Sequence, residues 1–597
     1  MATVPLGLYL WKRIHQCGIN HIFGVPGDFN LTLLDHVYEV EGLEWIGNTN
    51  ELNAAYAADG YARARNNAGC LVTTHGVGEL SALNGVAGAM TEQVKVIHVV
   101  GQTSRHMQRN KMMIHHSIGF DPDHQVFSKA STGFRCAAAE LQSEVGATEE
   151  IDRVLRELFI QSKPVYIFFP IDLVDRQVSA EALNTSLDLQ PPADDKALEK
   201  ACSSILDALY SSKSPAIFVD CLVQRHDAVS EIRDLVDKLG VRTFTSNMGK
   251  GIIDETHPHY VGLYNGLPTG AGVPEAIKES DLVLVVGTLP SDTNTGGFTR
   301  DIPPSKTISI DPHEVTMQNG FATFSKVPIK VLLRQLNHSV NQSKVPKVPM
   351  PKLPPRPTED DADSKLITQS WVWHRLTASL QPHDVVFGET GTAAFGLPDA
   401  TFPAHTDWIT QTYYGSIGYA TPAAFGVEVA LSDRARANTH PRGRTVLVTG
   451  DGSLMLTVQE IGNFVKHDLA PLIVIINNAG YTIERVIHGA RQSYNDIVPF
   501  DYKHMLPFFN MPEEQARKCF HRAETKAELE AILEKEEVRS PKTVQVVEIV
   551  MDAMDVPWRL STQIAVRGEA VSSSFFPLSL SLFIHRFSMF AHESETC

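Results

Sequence analysis

The chain of 597 residues contains no unbroken apolar stretch of about eighteen residues, the length that a membrane-spanning helix needs. Its N-terminus lacks the apolar core and small-residue cleavage site of a secretory signal. The seven cysteines are scattered, with no CxxC motif and no cysteine–histidine spacing typical of a metal site. Because an odd, dispersed set fits a reducing compartment better than a disulfide framework, we expect a cytoplasmic protein.

Basic residues are fewer than acidic ones: the chain has 52 Lys and Arg and 69 Asp and Glu, which gives a net charge of −17. A surface of this sign repels nucleic acid and anionic membranes, so neither is an expected partner. The sequence has no GxxxxGK[ST] motif, which argues against a P-loop ATP site. A small anionic substrate is not excluded, because it responds to the local charge of its pocket.

Apolar strands alternate with helical patterns along most of the chain, which predicts an α/β fold of doubly wound parallel sheets. The pattern fills three blocks, residues 1–180, 190–345 and 364–565, and we predict one domain for each. Residues 346–363 are rich in proline and end in an acidic run, which indicates a stiff, extended linker.

The last segment, residues 566–597, breaks this alternation. It is rich in serine and aromatic residues, and it is too short and too interrupted to span a bilayer. Two interpretations stay open: a dispensable extension, or a segment that docks on the domains as a lid.

The most informative stretch lies in the third block. An apolar run at residues 445–449 ends in Gly450-Asp451-Gly452-Ser453, and a second run at 472–476 ends in Asn477-Asn478-Ala479-Gly480. Residues 456–467 between them have a helical pattern, so the whole is a predicted strand–helix–strand unit. The carboxyl ends of both strands then meet at one edge of a parallel sheet, the usual ligand edge.

The polar groups at this edge suit a magnesium diphosphate. Mg²⁺ prefers oxygen ligands in an octahedron and bridges diphosphate oxygens. Asp451 offers a carboxylate, Asn478 an amide oxygen and Gly480 a backbone carbonyl. Ser453 and nearby backbone N–H groups at a helix start suit a phosphate. Gly-Asp-Gly alone would be an ordinary turn, but its spacing from the Asn-Asn pair makes the prediction more specific.

This pattern resembles the cofactor motif of thiamine diphosphate-dependent enzymes, the superfamily of decarboxylases and acetolactate synthases. Other strings resemble the 2-oxo acid decarboxylase branch, which includes pyruvate and indolepyruvate decarboxylases: residues 24–28, 50–63, 73–85, 115–116 and 389–392. The resemblance covers nearly the whole chain to about residue 565. It implies that the three domains are, in order, pyrimidine-binding, middle, and diphosphate- and Mg²⁺-binding.

The resemblance also implies an activity, the non-oxidative decarboxylation of a 2-oxo acid to an aldehyde and CO₂ through a thiamine diphosphate ylide and an enamine. Glu51 matches the carboxyl that activates the cofactor, and Ile417 matches the aliphatic side chain that holds the cofactor bent. In the family this glutamate acts across a subunit interface, which implies a homodimer or homotetramer. Four residues match the family's proton-handling cluster: Asp28, His115, His116 and Glu484.

Further site residues follow from the same matched motifs. Besides Glu51, the implied cofactor contacts are Thr390, Thr392, Gly415, Ser416, Ile417, Gly450, Asp451, Gly452, Ser453, Asn478, Gly480, Tyr481, Thr482 and Ile483. The implied metal ligands are Asp451, Asn478 and Gly480, and the implied substrate pocket comprises Thr293, Tyr414, Ile483 and Ile487. Family members that act on pyruvate tend to carry larger aromatic residues at the positions of Thr293 and Tyr414. A larger aliphatic or aromatic 2-oxo acid therefore stands beside pyruvate as a candidate substrate.

Two other functions remain open from the sequence. Carboligation of the acetolactate synthase type shares the cofactor site, although the proton-handling cluster favours protonation over ligation. A non-catalytic, cofactor-binding paralogue is suggested by the unusual loop at residues 117–122 and by the tail, whereas Glu51 and Glu484 argue against it. His75, where the family usually has phenylalanine, has no interpretation from the sequence.

Overall fold

The structure is a computed structural model that describes residues 2–355, 361, 363–436 and 443–573. Within these residues three large sheets flanked by helices follow one another along the chain, which confirms the predicted α/β class. No helix in the described ranges is long and apolar enough to cross a membrane. Residues 356–360 and 362 of the predicted linker, and 574–597 of the predicted tail, lie outside the described residues.

The first sheet is entirely parallel. The strands of this part of the chain are β1 (Thr3–Pro5), β2 (His21–Gly24), β3 (Glu44–Trp45), β4 (Gly69–Thr74), β5 (Val96–Gln102), β6 (Ala137–Glu140), β7 (Val165–Pro170) and β8 (Gln177–Ser179). Its helices are α1 (Leu6–Gln16), α2 (Leu31–Asp35), α3 (Glu51–Arg65), α4 (Val77–Thr91), α5 (Arg105–Arg109), α6 (Val126–Ala130) and α7 (Ala147–Gln161). The sheet order is β3-β2-β4-β5-β7-β6, while β1 and β8 form a separate antiparallel pair. Strands β4, β5 and β7 are buried throughout, as continuous apolar runs in a doubly covered sheet require.

The middle sheet departs from the prediction at one edge. Its strands are β9 (Pro215–Val219), β10 (Arg242–Thr245), β11 (Tyr260–Leu263), β12 (Leu282–Val286), β13 (Thr307–Asp311), β14 (Glu314–Thr316) and β15 (Thr323–Ser325). Its helices are α8 (Asp195–Ser211), α9 (Leu222–Arg225), α10 (Val229–Leu239), α11 (Val273–Lys278) and α12 (Ile329–Ser339). The order is β11-β10-β9-β12-β13-β14-β15, and β14 and β15 join antiparallel. The turn between β13 and β14 is too short for the crossover that a parallel strand needs.

The third sheet carries the predicted strand–helix–strand unit. Its strands are β16 (Val385–Gly388), β17 (Asp407–Ile409), β18 (Thr445–Gly450), β19 (Leu472–Asn477), β20 (Phe520–Ala523) and β21 (Gln545–Val550), in the parallel order β17-β16-β18-β19-β21-β20. Its helices are α13 (Gln369–Ala378), α14 (Thr392–Gly396), α15 (Ala420–Arg436), α16 (Asp451–Leu456), α17 (Ile461–Lys466), α18 (Thr482–Ile487), α19 (Met505–Phe508), α20 (Glu513–Cys519), α21 (Lys526–Leu533), α22 (Glu536–Arg539) and α23 (Trp558–Ser573).

The helix predicted over residues 456–467 is two helices, α16 and α17, separated by a 3₁₀ turn. The break occurs where Thr457 donates to the Gly418 carbonyl (2.7 Å) and Glu460, fully buried, accepts from Asn48 (2.7 Å) and Asn53 (2.9 Å). Because α16 begins at Asp451, the Gly-Asp-Gly-Ser motif forms its first turn. The interruption therefore ties the third domain to the first at the ligand edge.

Helices α3 and α15 pack unusually closely and join the first and third domains. A Cβ on Gly60 would lie 2.0 Å from the Ala423 carbonyl oxygen, and one on Gly426 would lie 1.9 Å from the Ala57 carbonyl oxygen. Any side chain at either position would clash with backbone, so both positions require glycine at this helix crossing. This packing fixes the position of Glu51, the first residue of α3.

Candidate active site

The ends of β18 and β19 form a buried corner around Asp451. Its side chain is only 2% exposed; one carboxylate oxygen accepts from the Gly452 N–H (2.8 Å) and the other from the Gly480 N–H (2.9 Å). Burial raises the pKa of Asp451 to about 6, and these hydrogen bonds offset only part of that rise. A desolvated carboxylate with no direct cationic partner is well suited to a metal ion.

The oxygens around Asp451 suit Mg²⁺ in number and chemical type. With its amide oxygen turned inward, Asn478 faces Asp451 Oδ1 at 3.3 Å and the Gly480 carbonyl at 3.1 Å. Three oxygen acceptors, from Asp451, Asn478 and Gly480, then face one another with no hydrogen atom between them. A cation bound between these oxygens would offset their mutual repulsion. With the amide reversed, its nitrogen donates to both oxygens instead. The corner therefore offers the predicted donor set, two side-chain oxygens and one carbonyl.

The loop after β19 is held in a conformation that glycine permits. Gly480 has φ +122°, and a Cβ there would lie 2.4 Å from the Asn495 carbonyl oxygen. Arg485, 7% exposed, donates to the carbonyls of Asn478 (3.3 Å) and Ala479 (2.7 Å). Arg485 was not among the predicted site residues, because a basic residue in a short helix has no distinctive local signal.

The buried Glu389 supports the loop of Gly415, Ser416 and Ile417, three of the predicted cofactor contacts. Glu389, 1% exposed, accepts hydrogen bonds from the N–H groups of Thr390 (2.9 Å), Gly418 (3.2 Å) and Ala420 (3.0 Å). Burial raises the pKa of Glu389 to about 7. The sequence motif contained this residue without indicating its role. It links the start of α14, with the predicted Thr390 and Thr392, to the loop that carries Ile417, which is half-buried.

The loop of Gly415, Ser416 and Ile417 is anchored to the first domain by hydroxyl groups. Ser416 Oγ lies 2.6 Å from the Tyr56 hydroxyl, and Asn84 donates to both oxygens at 3.0 Å. Tyr414 donates through its own hydroxyl to Asn84 Oδ1 at 2.9 Å. Four side chains from two domains therefore fix the loop. No local sequence signal marks Tyr56 or Asn84 for this role.

The predicted substrate-pocket residues come from two domains. Thr293, in the middle domain, donates to the Thr412 carbonyl at 2.9 Å, two residues before Tyr414. Its neighbour Asn294 is fully buried and donates to Asp220 Oδ2 at 2.9 Å. Thr293 is thus held next to the cofactor loop. Of the others, Ile483 is half-buried and Ile487 is exposed, both on α18.

Three of the four predicted proton-handling residues meet in space. His115 Nε2 lies 2.6 Å from Asp28 Oδ2, and the ring centroids of His115 and His116 are 4.7 Å apart. Phe29 stacks on the His115 ring at 5.1 Å with an interplanar angle of 17°. Asp28 follows β2, whereas the histidines follow α5, so the fold brings together residues that lie 87 positions apart.

His75 lies beneath this cluster and is completely buried. Its ring stacks on His124 at 5.6 Å and meets Phe29 and Phe127 edge-on at 5.9 and 5.1 Å. Neither ring nitrogen has a hydrogen-bond partner among the described residues, and burial lowers the pKa of His75 to about 4. His75 therefore packs as a neutral aromatic ring, which is compatible with the phenylalanine that the family usually has there.

Glu51 and Glu484 are not joined to the cluster within one chain. Glu51 begins α3, and its side chain approaches Gly78, where a Cβ would lie 3.2 Å from Glu51 Oε1. Glu484 is exposed on α18. Among the described residues, neither carboxylate has a hydrogen bond or ion pair. One chain therefore provides the oxygen corner at Asp451 and the Asp28–histidine cluster, while these two carboxylates find no partner in the part of the chain that the structure describes.

Comparison with known proteins assigns the same order of domains. Residues 6–125, 202–333 and 389–547 match the N-terminal TPP-binding, central and C-terminal TPP-binding domains of thiamine pyrophosphate enzymes. The chain is 39% identical to the pyruvate decarboxylase of Candida glabrata and to pyruvate decarboxylase isozyme 1 of Saccharomyces cerevisiae, over 94% of this chain and 98% of each relative. It is also 39% identical to the pyruvate decarboxylase of Aspergillus fumigatus, over 93% of this chain and 95% of that protein.

Proposed function

The chain belongs to the family of thiamine diphosphate-dependent 2-oxo acid decarboxylases, and on this premise we propose that it uses the predicted site residues to turn pyruvate or a larger 2-oxo acid into an aldehyde and CO₂. The observation that supports this most directly is the pair of clusters on one chain: three oxygens converging at Asp451, and the Asp28–His115–His116 group.

Asp451, Asn478 and the Gly480 carbonyl would hold Mg²⁺, and the first turn of α16 would bind the diphosphate. Bound thiamine diphosphate supplies the electron sink that lets a carboxylate leave as CO₂. The chain's residues position that group: Glu389 fixes the loop of Ile417, and Arg485 fixes the loop of Gly480. The half-buried Ile417 is available to press on the bound cofactor.

The Asp28–His115–His116 cluster would hold and deliver the proton that completes the aldehyde. The hydrogen bond from His115 to Asp28 fixes the ring and lets a proton move between Nε2 and Oδ2. Both side chains are about half exposed, so they exchange protons with solvent. Their exposure also leaves room for the loop at residues 117–122 to close over substrate and exclude water.

The site is completed by a second copy of the chain, as a homodimer or homotetramer. Glu51 has no partner among the described residues of its own chain, although it begins a rigidly packed helix. Exposed apolar side chains surround both halves of the site, including Val77, Leu80 and Phe120 on the first domain and Ile487 on the third. Such surfaces are typical of a buried subunit contact.

Mixing two inactive variants tests this arrangement. Glu51→Gln and Asp451→Asn chains are each expected to be inactive alone. If each site takes Glu51 from one chain and Asp451 from the other, random re-association restores about a quarter of the parent activity. If both residues act within one chain, every site in the mixture keeps one defect and no activity returns.

The substrate is tested by aldehyde and CO₂ release from a panel of 2-oxo acids, with Mg²⁺ and thiamine diphosphate added or withheld. Because Thr293 is small, turnover of phenylpyruvate or indolepyruvate at a rate comparable to pyruvate is expected. A strong preference for pyruvate contradicts the larger pocket, and acetolactate as the main product contradicts decarboxylation to aldehyde. No turnover despite cofactor binding would point to the non-catalytic alternative.

The state of the cysteines supports a cytoplasmic location for the chain. Cys17, Cys70, Cys202, Cys221 and Cys519 are buried and free, and Cys136 is half-buried and free, so the described cysteines form no disulfide. Free thiols in the core suit a reducing compartment such as the cytoplasm. Localisation of the tagged chain by fractionation tests this assignment.

A further inference from the structure

The Asp28, His115 and His116 side chains form a compact set of potential metal ligands. One ligand atom from each residue lies within 4.8 Å of the other two. In the described ranges this is the single group of three or more His, Cys, Asp or Glu side chains that meets this distance. Two imidazoles and one carboxylate are the donor set that Zn²⁺ and other divalent transition metals prefer, whereas Mg²⁺ prefers oxygen ligands.

A metal ion can bind with a change of at most about 1.4 Å in any ligand–ligand distance, since all three ligand atoms lie within 4.8 Å of one another. Tetrahedral ligands at 2.0–2.1 Å from zinc stand about 3.4 Å from one another. Asp28 Oδ2 and His115 Nε2, now 2.6 Å apart, would separate by less than about 1 Å. The proton between them would leave that position, since the metal takes the Nε2 lone pair.

The two rings are oriented before any ion arrives. Phe29 stacks on His115 and meets His116 edge-on at 6.3 Å. His116 has a left-handed backbone, φ +72°, and its carbonyl lies 2.8 Å from where a Cβ of Gly76 would be. Only three residues bind, and about half of each of the Asp28 and His115 side chains is open to solvent. An ion can therefore enter directly, and a fourth ligand position stays open for water.

We propose that Asp28, His115 and His116 form a binding site for a zinc-like divalent transition metal, separate from the Mg²⁺ corner at Asp451. The bound ion occupies the nitrogen and oxygen lone pairs that would otherwise carry protons, so it inhibits turnover. The inhibition rests on the proposed proton-handling role of this cluster. Metal binding itself does not, because it needs only the three side chains.

Cobalt provides a direct readout, because Co²⁺ replaces Zn²⁺ and absorbs visible light when bound by nitrogen and oxygen ligands. The holoenzyme, saturated with Mg²⁺ and thiamine diphosphate, is titrated with Co²⁺, and Zn²⁺ is then added in competition. We expect one Co²⁺ per chain with visible absorption bands that Zn²⁺ removes. His115→Gln, His116→Gln and Asp28→Asn should each weaken binding by about 10-fold to 100-fold or more.

A second histidine pair gives a matched control. His383 and His405 stack at 5.0 Å with an interplanar angle of 13°, and neither belongs to a three-ligand group. Replacing both by glutamine should leave Co²⁺ binding unchanged. The proposal is overturned if wild-type holoenzyme shows no stoichiometric Co²⁺ band, or if the His383/His405 change removes the band while the three ligand variants keep it.

Two further measurements separate this proposal from the proposed function. In Glu51→Gln, turnover should be lost while the Co²⁺ bands stay, since Glu51 is not a ligand. In the parent enzyme, the Zn²⁺ dissociation constant from inhibition should equal the one from the Co²⁺ competition, once the latter is corrected for the Co²⁺ present. Bands without inhibition would keep the metal site and overturn the proton-handling role of the three residues. Inhibition without bands would overturn the metal site.

Discussion

Two regions of the molecule contribute to one proposed active site, and they are built differently. The Asp451 corner is buried, and its oxygens converge within one strand–helix–strand unit. The Asp28–His115 pair is about half exposed, and its members come from loops 87 positions apart. The corner is complete in one chain, whereas Glu51 and Glu484 find no partner for their carboxylates among the described residues.

This difference separates binding from chemistry. A metal ion and a diphosphate need fixed, desolvated donors, and a short local unit can supply them all. Proton transfer needs groups that reach both solvent and substrate. Under the proposed function, its residues would therefore lie on exposed loops and complete their set only when another chain or a closing loop arrives. Variants at the Asp451 corner should therefore lose cofactor binding, whereas variants of the proton-transferring residues should lose turnover.

The largest effect is expected from Glu51→Gln, because the activating proton exchange needs a carboxyl group. We expect turnover of a 2-oxo acid to fall by about 10²- to 10⁴-fold, with thiamine diphosphate affinity close to that of the parent. Steady-state rates and calorimetric titration of the cofactor measure the two quantities. Glu41→Gln, an exposed change before the same helix, should alter neither. Full activity in Glu51→Gln would remove this residue from the mechanism.

Asp451→Asn should have the opposite signature, a loss of binding. The amide keeps the shape of the side chain but removes the negative charge from a nearly fully buried corner. We expect the affinity for Mg²⁺ and thiamine diphosphate to fall by about 100-fold or more, because even a lost outer-shell partner costs a metal site up to about that much and Asp451 is a proposed direct ligand. Calorimetry with and without Mg²⁺ measures it. Asp468→Asn, on an exposed turn of the same unit, is the control; an equal affinity in both variants would contradict the metal corner.

Much of the fold was predictable because its signals are local. Helix α3 (Glu51–Arg65) can be recognised in the sequence, since a charged first residue and a face of alanines and aromatic residues mark it locally. The buried parallel strands were also clear from unbroken apolar runs. The break between α16 and α17 was not, because Thr457 and Glu460 turn toward partners that are distant in sequence.

The site was predictable to a similar, partial extent. Motif spacing pointed to the three oxygens at Asp451, but nothing local marked Arg485, Tyr56 or Asn84, which act through hydrogen bonds across loops and domains. His75 shows the same limit. Its neutral state in a site without hydrogen-bond partners depends on His124, Phe29 and Phe127, which the fold brings around it, although Glu79 Oε1 lies 3.7 Å from its Nδ1.

His75→Phe should change the pH dependence of stability by an intermediate amount. The folded-state pKa of His75 is about 4, against an ordinary value of 6.5. Between these two pH values His75 is protonated in the unfolded chain but neutral in the folded chain. Folding of the parent therefore weakens as pH falls from about 6.5 toward 4, by about 2 kcal/mol at pH 5, and the phenylalanine variant escapes this loss. Thermal midpoints at pH 7 and pH 5 measure the difference. The exposed change His106→Phe should show none, and equal pH profiles for parent and His75→Phe would contradict a neutral, buried His75.

The smallest effect is expected on substrate choice, at Thr293, outside both regions. Thr293→Phe adds volume beside the cofactor loop, so the ratio of kcat/KM for pyruvate to that for phenylpyruvate should rise by about tenfold. The change also removes the hydrogen bond from Thr293 to the Thr412 carbonyl. Thr293→Val separates these causes, because valine lacks the hydroxyl but keeps the size of threonine. If the kcat/KM ratio shifts in Thr293→Phe but not in Thr293→Val, side-chain volume determines substrate choice. Equal shifts in both variants would assign substrate choice to the position of the loop that the hydrogen bond holds.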